Sequence, residues 1–288
     1  MRRRLIVSAD DFGLSPGVNA GIMRAHREGV LTDASLMVNG AAFEEAVELA
    51  RAAPTLSVGL HLVLLQGHAT TPPGAIPGLV DAAGMFRTNP VAVGFRYFFT
   101  PGIRAQLERE ICAQLERYLR AGLPLSHVDG HLNIHVHPTV LGILVRVAAR
   151  YGIRALRLPR EPLDVSLRLD GRERVRKVSE SLTFRRLTAF AAPRLDAHGI
   201  CYPDQMFGLH QSGHMTEPYL LGVMAALASG VTEIYSHASV VDAEARRWRP
   251  ADYECDAELA ALTSPRVRAM LSERQIELTS YRALSGGG

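Results

Sequence analysis

Leu5-Ile6-Val7-Ser8-Ala9-Asp10-Asp11-Phe12-Gly13-Leu14-Ser15-Pro16 is the stretch on which the fold turns. The apolar run Leu5 to Ala9 reads as a buried strand, and it stops at two adjacent carboxylates, where charge is costly to bury. Neighbouring carboxylates resist joint ionisation, so a site that keeps both supplies a cation or a shared proton. Ser15-Pro16 reads as an N-cap and first helical residue, opening a helix from Gly17 to Glu28 that Gly29 stops. Two later strand ends carry matching chemistry: His61 closes Leu56-Ser57-Val58-Gly59-Leu60, and Asp129-Gly130-His131 follows Leu125-Ser126-His127-Val128. Imidazole and carboxylate at repeated strand ends read as a metal site.

Strand-like runs and helical patterns keep alternating along the rest of the chain. Ser35-Leu36-Met37-Val38, Ala155-Leu156-Arg157-Leu158, Ile200-Cys201-Tyr202, Thr232 to Ser236 and Gln275 to Tyr281 read as strands. Gly67 to Met85, rich in Pro and Gly, reads as a long loop over the site. Seven or eight such units predict an α/β fold, an irregular TIM-barrel-like (β/α) barrel with its functional residues at the C-terminal strand ends. The expected organisation is one barrel-like catalytic domain over 1–285, with a loop insertion at about 66–102, a charged helical excursion at about 164–198, and a disordered tail at 286–288. A doubly wound open sheet would want a glycine-rich phosphate loop after the first strand, and Asp-Asp-Phe-Gly is not one.

Composition narrows the function classes. The 288 residues are 47% hydrophobic, and no apolar run approaches the roughly 18 residues of a membrane span. The apolar stretch behind Met1-Arg2-Arg3-Arg4 is too short for a secretory signal, so a cytoplasmic protein is the expectation. Cys112, Cys201 and Cys255 are too widely spaced for a zinc ribbon or a disulfide framework. Net charge is +3, and Lys177 is the sole lysine, so the basic residues reflect an Arg bias rather than a nucleic-acid surface.

One Asp and two His leave coordination positions for water and substrate, as catalytic metals require. Asp11, His61 and His131 are the expected ligands, with Asp10 beside them as the base toward water. Asp129 is positioned to orient an imidazole through its ring N–H. His135 and His137 alternate before Pro138, so either can face the pocket. His237, ending the strand at Ser236, is the expected general acid, and Arg157 and Asp204 the expected donor and acceptor for a polar substrate. Asp/His₂ ligation suits zinc.

The segments Val7 to Ser15, Gly59-Leu60-His61, His127 to His131 and His137-Pro138, in that order, resemble the YdjC-like carbohydrate deacetylases, the chitooligosaccharide deacetylase family. The resemblance implies a barrel-like fold, one divalent metal, frequently magnesium, a homodimer, and hydrolysis of an N-acetyl group from an amino sugar. It maps the metal onto Asp11, His61 and His131 and the base onto Asp10. His237 matches the family's late histidine, although Ala238-Ser239 stands where Pro-Gly is frequent. Leu156 to Glu161 and Tyr202 to Gly208 resemble the branch associated with hopanoid biosynthesis, which implies an amino sugar carried on a lipid. The aromatic segment Val93 to Phe99 then predicts a lipid entrance or peripheral contact at the inner membrane face. The competing readings are a non-catalytic sugar-binding protein of the same fold and a metal-dependent phosphoesterase working with two cations.

Overall fold

The computed structural model describes residues 2–286, so positions 287 and 288 of the expected tail lie outside the described residues. Seven parallel strands form one curled sheet: β1 (Arg3–Phe12), β2 (Asp33–Leu36), β3 (Ser57–Leu62), β4 (Val128–Gly130), β5 (Gln205–Phe207), β6 (Gly230–Ser236) and β7 (Ile276–Leu278). β1 lies at its centre. β2, β3 and β4 extend to one side, β6 and β5 to the other, and β7 pairs with the first residues of β1. Helices surround the sheet, as parallel strands buried on both faces require.

The sheet is a half-barrel rather than the expected full TIM-like ring. Between β4 and β5 only isolated bridges occur, Val128 with Leu156 and Ala155 with Cys201. Proline explains the shortfall: the two segments expected as strands run into Pro159 and Pro203, which cannot donate to a ladder. The ladder strand is therefore Gln205–Phe207, not Ile200 to Tyr202.

Alternate residues of each strand point to the concave face and stack in layers. Ile6, Ala155, Val231 and Tyr281 form an apolar bottom layer. Above them lie Ser8, Ser35, His127 and Glu233, all buried. His127 stacks on Tyr281, with ring centroids 4.0 Å apart, and room for it exists only because position 59 is glycine. A Cβ there would meet the His127 ring at 2.4 Å. The top layer, at the C-terminal strand ends, holds Asp10, His61, Asp129, Arg157 and Tyr235.

The connection over this rim is pinned by two buried polar side chains of the helix Ile103–Arg120. Glu110 accepts from the Thr70 and Thr71 N–H groups at 2.8 Å each, and Gln114 bonds both backbone groups of Val63. Val93 to Phe99 falls within a helix, Pro90–Phe99, capped by Asn89 accepting from the Ala92 N–H. Two further helices, Leu163–Leu169 and Arg174–Ala197, occupy the charged region after Pro162.

Candidate metal centre

Two adjacent strand residues normally point to opposite faces, so Asp10 and Asp11 need a local irregularity to share a site. The irregularity is a bulge: β1 pairs Ala9 with Ala34 but Phe12 with Leu36, and Asp11 sits at φ 68°. Bulges re-aim side chains in this way beside active sites. Asp10 then continues the inward row of Ser8, while Asp11 turns toward His61 and His131.

Asp11 Oδ1 lies 3.6 Å from His61 Nε2 and 3.4 Å from His131 Nδ1. It is buried and makes no hydrogen bond. The three donor atoms lie within 4.8 Å of one another. An unpartnered buried carboxylate oxygen facing two imidazole nitrogens is the donor set a divalent cation takes. His131, at 14% exposure against 2% for His61 and 1% for Asp11, is the side of this triad that reaches solvent.

Each donor is held from behind. Asp129 is the register partner of His61 across β3 and β4, and its Oδ1 lies 2.8 Å from His61 Nδ1. That contact leaves Nε2 turned toward Asp11. The other Asp129 oxygen accepts from Ser35 Oγ at 2.8 Å and pairs with Arg157 Nη1 at 2.7 Å. Arg157 meets Asp10 with a two-pronged fork, Nη1 to Oδ2 and Nη2 to Oδ1, both 2.8 Å, and reaches Glu233 Oε1 through Nε and Nη2. Its guanidinium also lies over the Tyr235 ring, 4.7 Å from the centroid. Arg249 performs the matching task on Asp11, donating to Oδ2 from Nε at 3.1 Å and Nη2 at 3.0 Å. Its Nη1 ties in the His237 carbonyl, Ser239 Oγ and Cys255 Sγ.

The charges of this cluster do not cancel. Asp10, Asp11, Asp129 and Glu233 are all buried, and among the described residues their permanently charged partners are Arg157 and Arg249, four carboxylates against two guanidiniums beside the His61 and His131 rings. A dication matches the difference. The same imbalance acts on the protonation of the donors. Burial works against a charged His61, but Asp129, Asp10 and Asp11 outweigh it and push the ring up to about 9. Burial also works to raise Asp11, yet Arg249, followed by His131 and His237, holds it well below the usual carboxylate range.

A second group, Asp10, His61 and Asp129, also converges, but Arg157 already bridges its two carboxylates. The guanidinium thus stands where a second cation would, and the geometry fits one ion per chain.

His237 packs its ring against Tyr235 and Tyr253, centroids 5.7 and 5.1 Å away, and its Nδ1 is buried without a partner. Burial pushes it down to about 4, so the imidazole is neutral as the site stands. His135 is buried beside Arg157. Its Nε2 lies 2.9 Å from the Arg157 carbonyl oxygen, bracing the residue that holds Asp10. Two other residues expected at the substrate have protein partners of their own. His137 caps the helix Pro138–Tyr151, and its Nε2 reaches the Gly94 carbonyl. Asp204 precedes β5 instead of following a strand, so it lies at the opposite rim and accepts from the Val231 N–H at 2.8 Å.

Sequence reasoning missed Glu233 and Arg249. A carboxylate in mid-strand at Thr232-Glu233-Ile234 was a usable signal of a buried partner. Arg249 gave none, being one of three arginines between Arg246 and Arg249 in an Arg-rich chain.

Comparison with known proteins places this geometry in a family. A model described as YdjC-like protein matches residues 4–273. The carbohydrate deacetylase of Geobacillus stearothermophilus is 34% identical over 284 residues, covering 98% of each chain. A carbohydrate deacetylase of Mus musculus is 32% identical, covering 96% of this chain and 93% of its own. That of Brevibacillus brevis is 46% identical over 150 residues, 52% of this chain and 57% of the relative. Among solved structures, a protein of Enterococcus faecalis V583 proposed to cleave cellobiose-phosphate superposes with a TM-score of 0.75 at 27% identity, covering 99% of both chains. With nearly its whole length matched, the chain belongs to the YdjC-like protein family.

Proposed function

We propose that the protein is a metal-dependent deacetylase that hydrolyses the N-acetyl group of an amino sugar. The observation that carries this reading is the unpartnered Asp11 Oδ1 facing His61 Nε2 and His131 Nδ1, with Asp10 next along the chain. Asp11, His61 and His131 would hold the ion, one per chain, magnesium or zinc. When bound, such an ion supplies Lewis-acid polarisation of a carbonyl and acidifies water.

The chain's own groups do the rest. The Arg157 fork fixes Asp10 with both oxygens oriented, and each oxygen keeps a lone pair with which to accept a proton from the attacking water. Asp129 and Arg249 prevent His61 and Asp11 from turning away as charge shifts during the reaction. Such fixed donors act without reorganisation, which is where electrostatic stabilisation of a transition state comes from. His237 is the group for the departing amine nitrogen. The proton that water gives up to Asp10 balances the one the amine takes up, so His237, whose proton affinity burial lowers, passes a proton on rather than storing one.

The relatives' printed activity, carbohydrate deacetylation, agrees with this chemistry. A sugar-binding protein without catalysis would have little use for an oriented base beside its ion. A two-cation phosphoesterase is opposed by Arg157 in the second position. The resemblance to the hopanoid-associated branch favours a lipid-linked amino sugar, and the exposed rings of Phe95, Phe98 and Phe99 on the helix Pro90–Phe99 support it. The test is mass spectrometry of N-acetylated sugars and glycolipids before and after incubation with metal-loaded protein. Loss of one acetyl group with release of acetate is expected. Phosphate release without acetate, or no reaction on any acetylated amino sugar, would overturn the proposal.

A further inference from the structure

The helix Pro90–Phe99 carries one charged residue, Arg96, whose Nε donates to the Gly78 carbonyl at 2.8 Å. The rest of its surface is apolar on both sides. The inward side buries Val93 and Tyr97. The outward side presents Val91, Phe95, Phe98 and Phe99 at 67, 64, 58 and 68% exposure, spaced so that all four share one face. Their rings form a cluster: Phe95 stacks on Phe99 with centroids 6.1 Å apart, and Phe98 meets Phe99 edge-on at 4.8 Å. A helix apolar all round is normally enclosed, in a core or in a membrane, and this one is enclosed on one side only. The outward side chains amount to on the order of 500 Å² of apolar surface in one place, near the upper end of what a soluble chain exposes as a single patch.

Charge indicates what covers this face. Between Asp81 and Glu108 the chain has three arginines, Arg87, Arg96 and Arg104, and no carboxylate. Arg87 and Arg104 are exposed and, among the described residues, form no ion pair, whereas Arg146 on the neighbouring helix pairs with Glu108 at 2.6 Å. A cavity of about 300 Å³ has both Phe98 and Arg104 in its lining, so an apolar ring and a guanidinium share one opening. Apolar rings bordered by unpaired cations complement the surface of an anionic bilayer, where acyl chains meet phosphates. They do not complement a second copy of the chain. In a two-fold dimer the patch would meet itself, cation against cation, and about 500 Å² per partner falls short of the roughly 800 Å² of a stable interface.

The helix is seated on the rim of the metal centre. The Tyr97 hydroxyl donates to the carbonyl of Leu64, three residues after His61, at 2.5 Å. His137 Nε2 lies 3.0 Å from the Gly94 carbonyl oxygen, and Thr139 Oγ1 donates to the Tyr97 carbonyl at 3.1 Å, both from the segment that follows His131. Leu132, the residue after that ligand, is itself exposed. We infer that the outward face of this helix is a membrane-docking surface. Val91, Phe95, Phe98 and Phe99 enter the boundary between headgroups and acyl chains of an anionic bilayer, Arg87 and Arg104 meet its phosphates, and the rim carrying His61 and His131 is held next to the lipid. Docking requires neither metal nor substrate, so it stands apart from the deacetylase reading.

The test sediments the full-length protein with vesicles of phosphatidylcholine alone and of phosphatidylcholine with phosphatidylglycerol. Saturable association with the anionic vesicles is expected, about 10-fold or more tighter than with the neutral ones, and weakening as salt rises from about 0.05 to about 0.5 M. Phe98→Ser combined with Phe99→Ser should weaken association about 10-fold or more. Arg87→Gln combined with Arg104→Gln should abolish the preference for anionic vesicles, with a urea midpoint near wild type. Phe99→Trp keeps the face aromatic, and lipids brominated on their acyl chains should quench its added emission, a readout that holds even where the serine variant fails to fold. No association, full association by a folded serine variant, an anionic preference that survives loss of both arginines, or Phe99→Trp emission unchanged by brominated lipid overturns the inference. So does a dimer in sedimentation velocity that the serine substitutions convert to monomer without any vesicle binding, which would make the face an interface between copies.

Discussion

Asp10→Asn separates the base from the ligands with minimal change of shape. In the wild type both Asp10 oxygens accept from Arg157 at 2.8 Å, in a site where Asp10 is 4% exposed. The amide keeps one acceptor and turns its NH₂ toward the guanidinium, so one charge-assisted hydrogen bond is lost, at a cost of about 1.5–3 kcal/mol. Arg157 remains held by Asp129 and Glu233, so the fork stays in place and the chain folds. The carboxylate excess of the cluster falls from two to one, which weakens cation binding without removing any of the three ligands. Turnover depends on a proton acceptor that asparagine cannot provide, and general-base catalysis is worth about 10²–10⁴-fold. Steady-state acetate release, urea unfolding and metal content on the same preparations should therefore show a kcat loss of about that size, a modest stability loss and one ion per chain. Near-normal turnover, or loss of the ion, would refute the division of labour between Asp10 and Asp11.

Three further perturbations test the supports around the site. Asp129→Asn should weaken metal affinity about 10–100-fold in calorimetric titration, because the group that turns His61 Nε2 toward Asp11 is altered; unchanged affinity would contradict that role. Gly59→Ala should destabilise the fold by about 1–3 kcal/mol in urea, since the new methyl meets a His127 ring that Tyr281 and Ser126 hold in place; an unaffected midpoint would show that the ring can move. Burial pushes Asp33 up to about 7, so the fold favours its neutral form, and the associated stability is fully present below about 4 and lost as pH rises through 7. Asp33→Asn should match wild type near pH 4 and exceed it at pH 8, by at most about 4 kcal/mol at roughly 1.4 kcal/mol per pKa unit; parallel stability curves would remove Asp33 from the explanation.

The elements that were legible in the sequence are those set by local pattern. The strand before Asp10, the cap at Ser15-Pro16 and the strand ends at His61 and Asp129 follow from short runs of residues, and each has its counterpart in the structure. What escaped was set by tertiary contact. Whether Asp10 and Asp11 face one site depends on a bulge that no run of side chains announces. The sheet stops short of a ring because Pro159 and Pro203 end two strands early, and that displacement moves Asp204 to the wrong rim. His135 and His137 are adjacent in pattern but sit on a turn with Leu132 and Asn133 at positive φ, which sends one ring beneath Arg157 and the other to a helix cap. Arg249 reaches Asp11 across 238 positions of chain.

The central claim is that Asp11, His61 and His131 enclose a single ion. Anomalous diffraction from crystals soaked in zinc or manganese tests it most directly. One peak is expected among Asp11 Oδ1, His61 Nε2 and His131 Nδ1, at bonding distances of roughly 2.0–2.2 Å for zinc. A peak elsewhere, or a second of equal height between Asp10 and Asp129 with Arg157 displaced, would contradict it.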